Sequence, residues 1–169
     1  EHQLAIGETT IGSRREMVSE SGIIDAPELY RLVLERAKTA REAIRVADEL
    51  TRAYGYNDWG ECFTFADTKE VWHFEIHGPG KGKKGAVWAA QRVPDDEIGV
   101  SANAGRIRQL DLTNTNYFLA SANVMSLAEE MGFWSKGSGQ PFEFCYVYDP
   151  DSRTSLYCRR REWRVLSLL

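Results

Sequence analysis

A lone side-chain amide, Asn103, is the residue of this chain with the clearest potential for chemistry. It lies in the segment VWAAQRVPDDEIGVSANAGRI at 87–107, directly after a short apolar run that is predicted as a strand over 98–102. An amide at a rigid strand end can donate to an oxygen that becomes negatively charged during acyl transfer, often the largest single contribution to catalysis. The same residue type also closes turns, here before Gly105, so a purely structural role is left open.

The cysteines and histidines offer fewer candidates. Cys62, Cys145 and Cys158 form no CxxC pair, and each lies beside aromatic residues, which predicts buried, reduced thiols. Cys158 precedes three arginines that could favour a thiolate, so it is the one cysteine considered as a nucleophile. The three histidines are spaced too irregularly for a zinc site, and we expect no metal.

Composition narrows the class of protein. The chain has 169 residues, of which 43% are hydrophobic and 11% aromatic, enough to form a sizeable core in one domain. A formal net charge of −4 argues against a nucleic-acid binder, which would usually carry a basic face. No apolar run reaches the length of about 18 residues that a membrane span requires, so no span is expected.

The hydrophobic pattern predicts an α+β sandwich. Asp25 with Glu28, and Thr39 with Glu42, have capping-box spacing and open predicted helices over 26–37 and 40–54. The other predicted elements are strands at 3–10, 61–67, 70–77, 86–93 and 98–102, helices at 117–131 and 159–169, and a helix or coil at 142–148.

Five stretches of the chain, in order, carry a resemblance to one enzyme family. They are EHQLAIGETT at the start, LERAKTAREAI at 34–44, ADTKEVWHFEI at 66–76, the segment 87–107 and RRREW at 159–163. The chain resembles the dipeptidase A and secernin-type cysteine dipeptidases, which are N-terminal nucleophile hydrolases related to penicillin V acylase and the bile salt hydrolases. The resemblance implies a four-layer αββα fold, no cofactor, and a cysteine nucleophile that becomes the first residue after processing.

The chain departs from this family at its start. Residue 1 is Glu, and the Cys-Thr-Thr start of the family, with the Asp and Arg that follow it, is absent. Family members are also much longer. We therefore expect residues 1–169 to be a single-domain portion of a longer hydrolase, with an incomplete αββα sandwich. In relatives, an Asn directly before EHQLAIGETT helps form the oxyanion hole.

The resemblance also suggests roles for three residues. Asn103 would stabilise the oxyanion, and Arg161 best matches an arginine that relatives keep close to the nucleophile. The alternative for Arg161 is a surface helix start held by salt bridges. Glu8, in the GETT segment, could hold the ammonium group of a substrate, as a dipeptidase needs, or could cap a turn, which is the simpler interpretation.

The sequence therefore predicts a cysteine-dependent dipeptidase that acts on small peptides through a thioester intermediate. One alternative is an amide acylase of the same superfamily. An acidic residue in the pocket that holds the amino end of the substrate would favour the dipeptidase. Another is a catalytically inactive relative that acts as a binding or scaffold protein. The sequence leaves homo-oligomer formation open, and also the compartment, with the cytoplasm favoured over export.

Overall fold

A five-stranded antiparallel sheet lies at the centre of the structure, a computed structural model that describes residues 2–169. The strands are β1 (Ala5–Thr10), β2 (Glu61–Ala66), β3 (Val71–His77), β4 (Val87–Val93) and β5 (Phe118–Ala120), and each pairs with the next in chain order. The helices are α1 (Ala26–Arg36), α2 (Ala40–Tyr54), α3 (Ser126–Glu130), α4 (Phe144–Tyr148) and α5 (Leu156–Leu166). The predicted α+β class is confirmed.

Local capping explains where α1 and α2 begin. The carboxylate of Asp25 accepts from the backbone N–H of Glu28 at 2.9 Å, and the hydroxyl of Thr39 accepts from that of Glu42 at 3.2 Å. Both predicted capping positions are confirmed, because a side-chain acceptor satisfies an N–H group that has no partner within the helix. Gly55, at φ +77, ends α2 in a backbone conformation that glycine adopts without strain.

One face of the sheet packs against these two helices. Alternation along the strands turns large aromatic side chains to this face, where they meet the apolar stripes of α1 and α2. The rings of Phe74 and Trp88 lie 5.1 Å apart between centroids. The fully buried aromatic residues of this cluster are Tyr56, Phe63, Phe65, Trp72 and Phe74.

The opposite face of the sheet carries polar residues in its centre. His73, Glu75 and His77 alternate along β3 and all point to this side. An irregular segment at 99–107 and the short helix α4 cover it, together with a second apolar cluster that includes Val87, Ala89, Ile107, Phe144 and Tyr148. This face therefore supports the segment that bears Asn103.

Two predicted elements are wrong. Residues 98–102 form no strand; their backbone has no ladder partner among residues 2–169, and the guanidinium of Arg106 instead binds the carbonyl of Val100. The predicted helix over 117–131 is divided into β5, a turn and α3, because Phe118–Ala120 pairs with β4. In both places tertiary contacts override the local pattern.

The remaining predictions at the carboxyl-terminal side agree better with the structure. Residues 144–148 form a helix, as the resemblance had favoured, and α5 begins at Leu156, three residues before the predicted start. Ser155 caps α5 by accepting from the N–H of Cys158. Among the helices of residues 2–169, none is both long and apolar enough to cross a bilayer.

Candidate active site

Asn103 lies beside the free edge of β1. Its Nδ2 donates to the carbonyl oxygen of Thr10 at 2.7 Å. The N–H of Ile11 donates to the carbonyl oxygen of Gly60, on the β2 side. Because the N–H and C=O of one peptide group point in opposite directions, the carbonyl of Thr10 points away from β2. The side-chain amide thus binds across to another element rather than within its own turn. Asn103 has φ +60, a left-handed conformation that asparagine tolerates better than most residues.

Arg161 fixes the orientation of this amide. Its Nη1 donates to Oδ1 of Asn103 at 2.9 Å, and its Nη2 donates to the carbonyl of Ala102 at 2.7 Å. Its guanidinium also stacks on the ring of Tyr157, 4.1 Å from the centroid. Because the amide oxygen faces Arg161, the amide nitrogen faces Thr10 and keeps a second N–H available. The structure thus brings together two residues that the sequence nominated separately.

The salt-bridge alternative suits a neighbouring arginine instead. Arg159 pairs with Glu162 on the same helix, with 2.7 Å between Nη1 and Oε2. Arg161 forms no such pair within residues 2–169, and its donors go to Asn103, Ala102 and Tyr157. Its planar fork therefore holds the irregular segment at 99–107, the Asn103 loop, rather than the helix surface.

The thiol of Cys158 adds a further contact to this loop. Its Sγ donates to the carbonyl oxygen of Asn103 at 3.1 Å and accepts from the hydroxyl of Ser155 at 3.1 Å. The prediction of buried, reduced thiols is confirmed for all three cysteines. Burial raises the pKa of Cys62 to about 12 and also raises that of Cys145, which suppresses the reactive thiolate form of both.

Two buried carboxylates, one on β3 and one just after α4, bind backbone N–H groups of the Asn103 loop. Oε1 of Glu75 accepts from the backbone N–H groups of Arg106 at 2.5 Å and Ile107 at 3.1 Å, and Oδ2 of Asp149 accepts from that of Gly105 at 3.0 Å. The backbone N–H groups of three successive residues, beginning two positions after Asn103, are thus bound by carboxylates. A side chain at Gly105 would not fit, since an added Cβ would lie 2.8 Å from Cβ of Cys145.

Burial of Glu75 predicts a pH-dependent stability. Burial, above all other causes, raises the pKa of Glu75 to about 8, from an ordinary value of 4.5. Between these values the folded state binds more protons than the unfolded state, so the free energy of unfolding should fall as pH rises from about 4.5 to about 8. Glu75→Gln should flatten this dependence by up to ~1.4 kcal/mol per pH unit, because glutamine does not titrate.

Urea denaturation at several pH values measures this effect. The exposed Glu20 provides a matched control, and Glu20→Gln should leave the pH dependence as in the parent protein. An equally steep dependence in Glu75→Gln would show that Glu75 is ionised in the folded state.

Glu8 lies within β1, on the face that packs against α1 and α2, and does not cap a turn. Its side chain is exposed, and its Oε1 accepts from the hydroxyl of Thr10 at 3.4 Å. Across the strand pair, Thr10 is opposite Glu61, a glutamate that the sequence analysis missed. The alternation Glu61-Phe63-Phe65 places this glutamate on an otherwise aromatic face, and that pattern was the available signal.

The direction of β1 determines which end of this strand lies beside Asn103. Asn103 lies at the Thr10 end of β1, whereas the chain enters this strand at Ala5. Five steps along a strand span about 17 Å. The neighbour of Asn103 on this strand is therefore Thr10.

Comparison with known proteins identifies the family to which this chain belongs. The model of peptidase family C69 matches residues 1–169, and the chain belongs to that family. It is 29% identical to a probable dipeptidase of Salmonella dublin over 149 residues, which are 88% of this chain and 32% of the relative. It is 31% identical to probable dipeptidase B of Lactococcus lactis subsp. lactis (strain IL1403) over 140 residues, which are 80% of this chain and 28% of the relative. The chain thus spans about a third of the length of these relatives.

Proposed function

We propose that the protein to which these residues belong is a cysteine-type dipeptidase. The observation that supports this most directly is the Asn103 amide, held by Arg161 and Thr10, in a chain of peptidase family C69. A fixed amide with one N–H still available suits a transition state in which charge develops on a carbonyl oxygen. Relatives that carry the name probable dipeptidase agree with this chemistry.

In the proposed reaction, a cysteine thiolate attacks the peptide carbonyl. The cysteine is the one that the family resemblance places at the start of the processed enzyme, and residue 1 of this chain is Glu. The second N–H of Asn103 donates to the tetrahedral oxyanion, and the amine product leaves with the proton that the α-amino group of the same cysteine took from its thiol. Water then hydrolyses the thioester and restores the thiol. In this reaction, the residues of this chain orient the Asn103 amide and stabilise the oxyanion.

We also infer the place of this sheet in the wider fold. With α1 and α2 on one face, residues 1–169 would supply one α and one β layer of an αββα sandwich, as a portion of a single domain.

The test is hydrolysis of a panel of unblocked dipeptides by the full-length protein, with products separated by chromatography. We expect turnover that is abolished by alkylation of the nucleophilic cysteine. Hydrolysis of N-acyl amides without cleavage of dipeptides would favour the acylase alternative. No turnover of either class by the folded, processed protein would favour the inactive relative.

A further inference from the structure

One buried carboxylate contacts the three segments that form the candidate site. Asp149 lies directly after α4 and is only 1% exposed. Its Oδ2 accepts from the backbone N–H of Gly105, in the Asn103 loop, at 3.0 Å, and its Oδ1 accepts from that of Ser152 at 3.3 Å. The same carboxylate lies against Gly12, where an added Cβ would overlap Oδ1. Asp149 thus touches the segment after β1, the Asn103 loop and the turn before α5.

Two glycines relate this carboxylate to the hydrogen bond of Asn103. Gly12 follows Thr10 by two residues, and Gly105 follows Asn103 by two residues. Nδ2 of Asn103 donates to the carbonyl oxygen of Thr10 at 2.7 Å. On both sides of this hydrogen bond, therefore, the chain reaches Asp149 two residues later. Because Gly12 has no side chain, the backbone after β1 can approach the carboxylate this closely.

The third segment leads to Arg161. Asp149 caps the 3₁₀ turn Pro150–Arg153 by accepting from the N–H of Ser152, and the hydroxyl of Ser152 donates to the carbonyl oxygen of Asp149 at 2.6 Å. Helix α5 begins three residues after this turn and carries Arg161, whose Nη1 donates to Oδ1 of Asn103 at 2.9 Å. Asp149 therefore also fixes the start of the helix from which Arg161 reaches the amide.

A carboxylate suits this position because its two oxygens accept hydrogen bonds and donate none. Asp149 forms no salt bridge among residues 2–169, so its partners are backbone N–H groups rather than a cation. Burial raises the pKa of Asp149, and the N–H groups of Gly105, Ser152 and Gly12 act in the opposite direction. Hydrogen bonds to an ionised acceptor are shorter and stronger than neutral ones, which fixes the positions of the groups that donate them.

We propose that Asp149 is a positioning residue of the proposed dipeptidase reaction, on which this proposal rests. By binding three segments, it keeps Thr10, Asn103 and Arg161 at the separations that direct the second N–H of Asn103 towards the forming oxyanion. Asp149 itself contacts no substrate and transfers no proton. Its effect on the rate passes through the Asn103 amide, because displacement of a catalytic group by about 1 Å can cost about 10²-fold in rate.

Steady-state kinetics of the full-length enzyme on an unblocked dipeptide test this role. Asparagine and serine both cap helical turns, so either can retain the start of the turn after Asp149. Neither supplies two acceptor oxygens, because asparagine would turn its amide nitrogen towards an N–H group and serine has a single oxygen with a shorter reach. Asp149→Asn and Asp149→Ser should each lower kcat by about 10–100-fold, with KM within about threefold of the parent value. Asp151→Asn and Asp151→Ser remove the same charge at an exposed position of the same turn and should change neither constant.

A double-mutant cycle with Asn103→Ala separates positioning from general damage to the fold. If Asp149 acts through the amide of Asn103, then removal of this amide leaves nothing for Asp149 to position. In the Asn103→Ala enzyme, Asp149→Asn should therefore lower kcat by less than about twofold further. Equal losses in the two backgrounds would mean that the two residues act independently, and the positioning role would be wrong.

A measurement without substrate distinguishes this proposal from the proposed function. In full-length protein labelled with ¹⁵N-asparagine, the side-chain NH₂ signals that disappear in Asn103→Ala belong to Asn103. They should shift in Asp149→Ser, which adds no asparagine, and stay in place in Asp151→Ser. Unchanged signals, or Asp149 variants that both fail to fold, would overturn the positioning role. A parent enzyme that cleaves no dipeptide while these signals shift would overturn the proposed function and leave the positioning of Asn103 intact.

Discussion

Replacing Asn103 by alanine in the full-length enzyme should lower kcat by about 10²–10³-fold, the usual loss when one oxyanion-hole donor is removed. Within residues 2–169 the amide nitrogen donates one hydrogen bond, to Thr10, and its second N–H is the donor that the reaction would use. KM should change much less, since this hydrogen bond strengthens only as charge develops on the oxygen. Initial-rate measurements on an unblocked dipeptide give both constants.

The Asn103→Asp variant sharpens this test. Aspartate keeps the shape of the side chain but removes the donor and places a negative charge beside the forming oxyanion, so kcat should fall at least as far. Its carboxylate could still accept from Arg161, as the amide oxygen does now. If Asn103→Ala is folded and retains kcat within about twofold, against the loss expected for an oxyanion donor, then Asn103 is only a turn residue.

Loss of Arg161 should have the second largest effect. Arg161→Ala removes the donors to Oδ1 of Asn103 and to the carbonyl of Ala102, so the amide loses the partner that sets its orientation. Misplacement of a catalytic group by about 1 Å can reduce the rate by about 10²-fold, and we expect a fall in kcat of that order. Arg161→Lys should restore only part of the activity, because lysine keeps the charge but cannot donate through a planar fork.

Arg164 offers a control on the same helix. Its side chain is exposed, so Arg164→Ala removes a positive charge from α5 without touching the Asn103 loop. It should leave kcat close to that of the parent enzyme. Equal losses in Arg161→Ala and Arg164→Ala would mean that the charge of the helix matters, and the geometry of the fork does not.

Elements governed by local rules could be predicted from the sequence. The caps at Asp25 and Thr39 and the alternation of β2, β3 and β4 depend on neighbouring residues, and the helices and strands they predict are present. Residues 98–102 and 117–131 could not be predicted, because their conformation depends on partners far along the chain. Phe118–Ala120, for example, is a strand only because β4 offers it an edge.

The same distinction applies to the candidate site. Asn103 and Arg161 were found by residue type, but their direct contact spans 58 positions in the chain and no local pattern shows it. Glu75 and Glu61 were missed as functional candidates, since a glutamate in a strand usually faces solvent and only the packed structure reveals that both are buried.

The long connection between β1 and β2 affects how the enzyme would lose activity. Short connections join β2 to β3 and β3 to β4, whereas residues 11–60, with two helices, separate β1 from β2. Closing a longer connection costs more chain entropy, and an edge strand is held on one side only. Local unfolding should therefore open β1 before β2, β3 and β4. Because Thr10 on that strand holds Asn103, mild denaturant should inactivate the enzyme while the rest of the sheet and its helices are still folded.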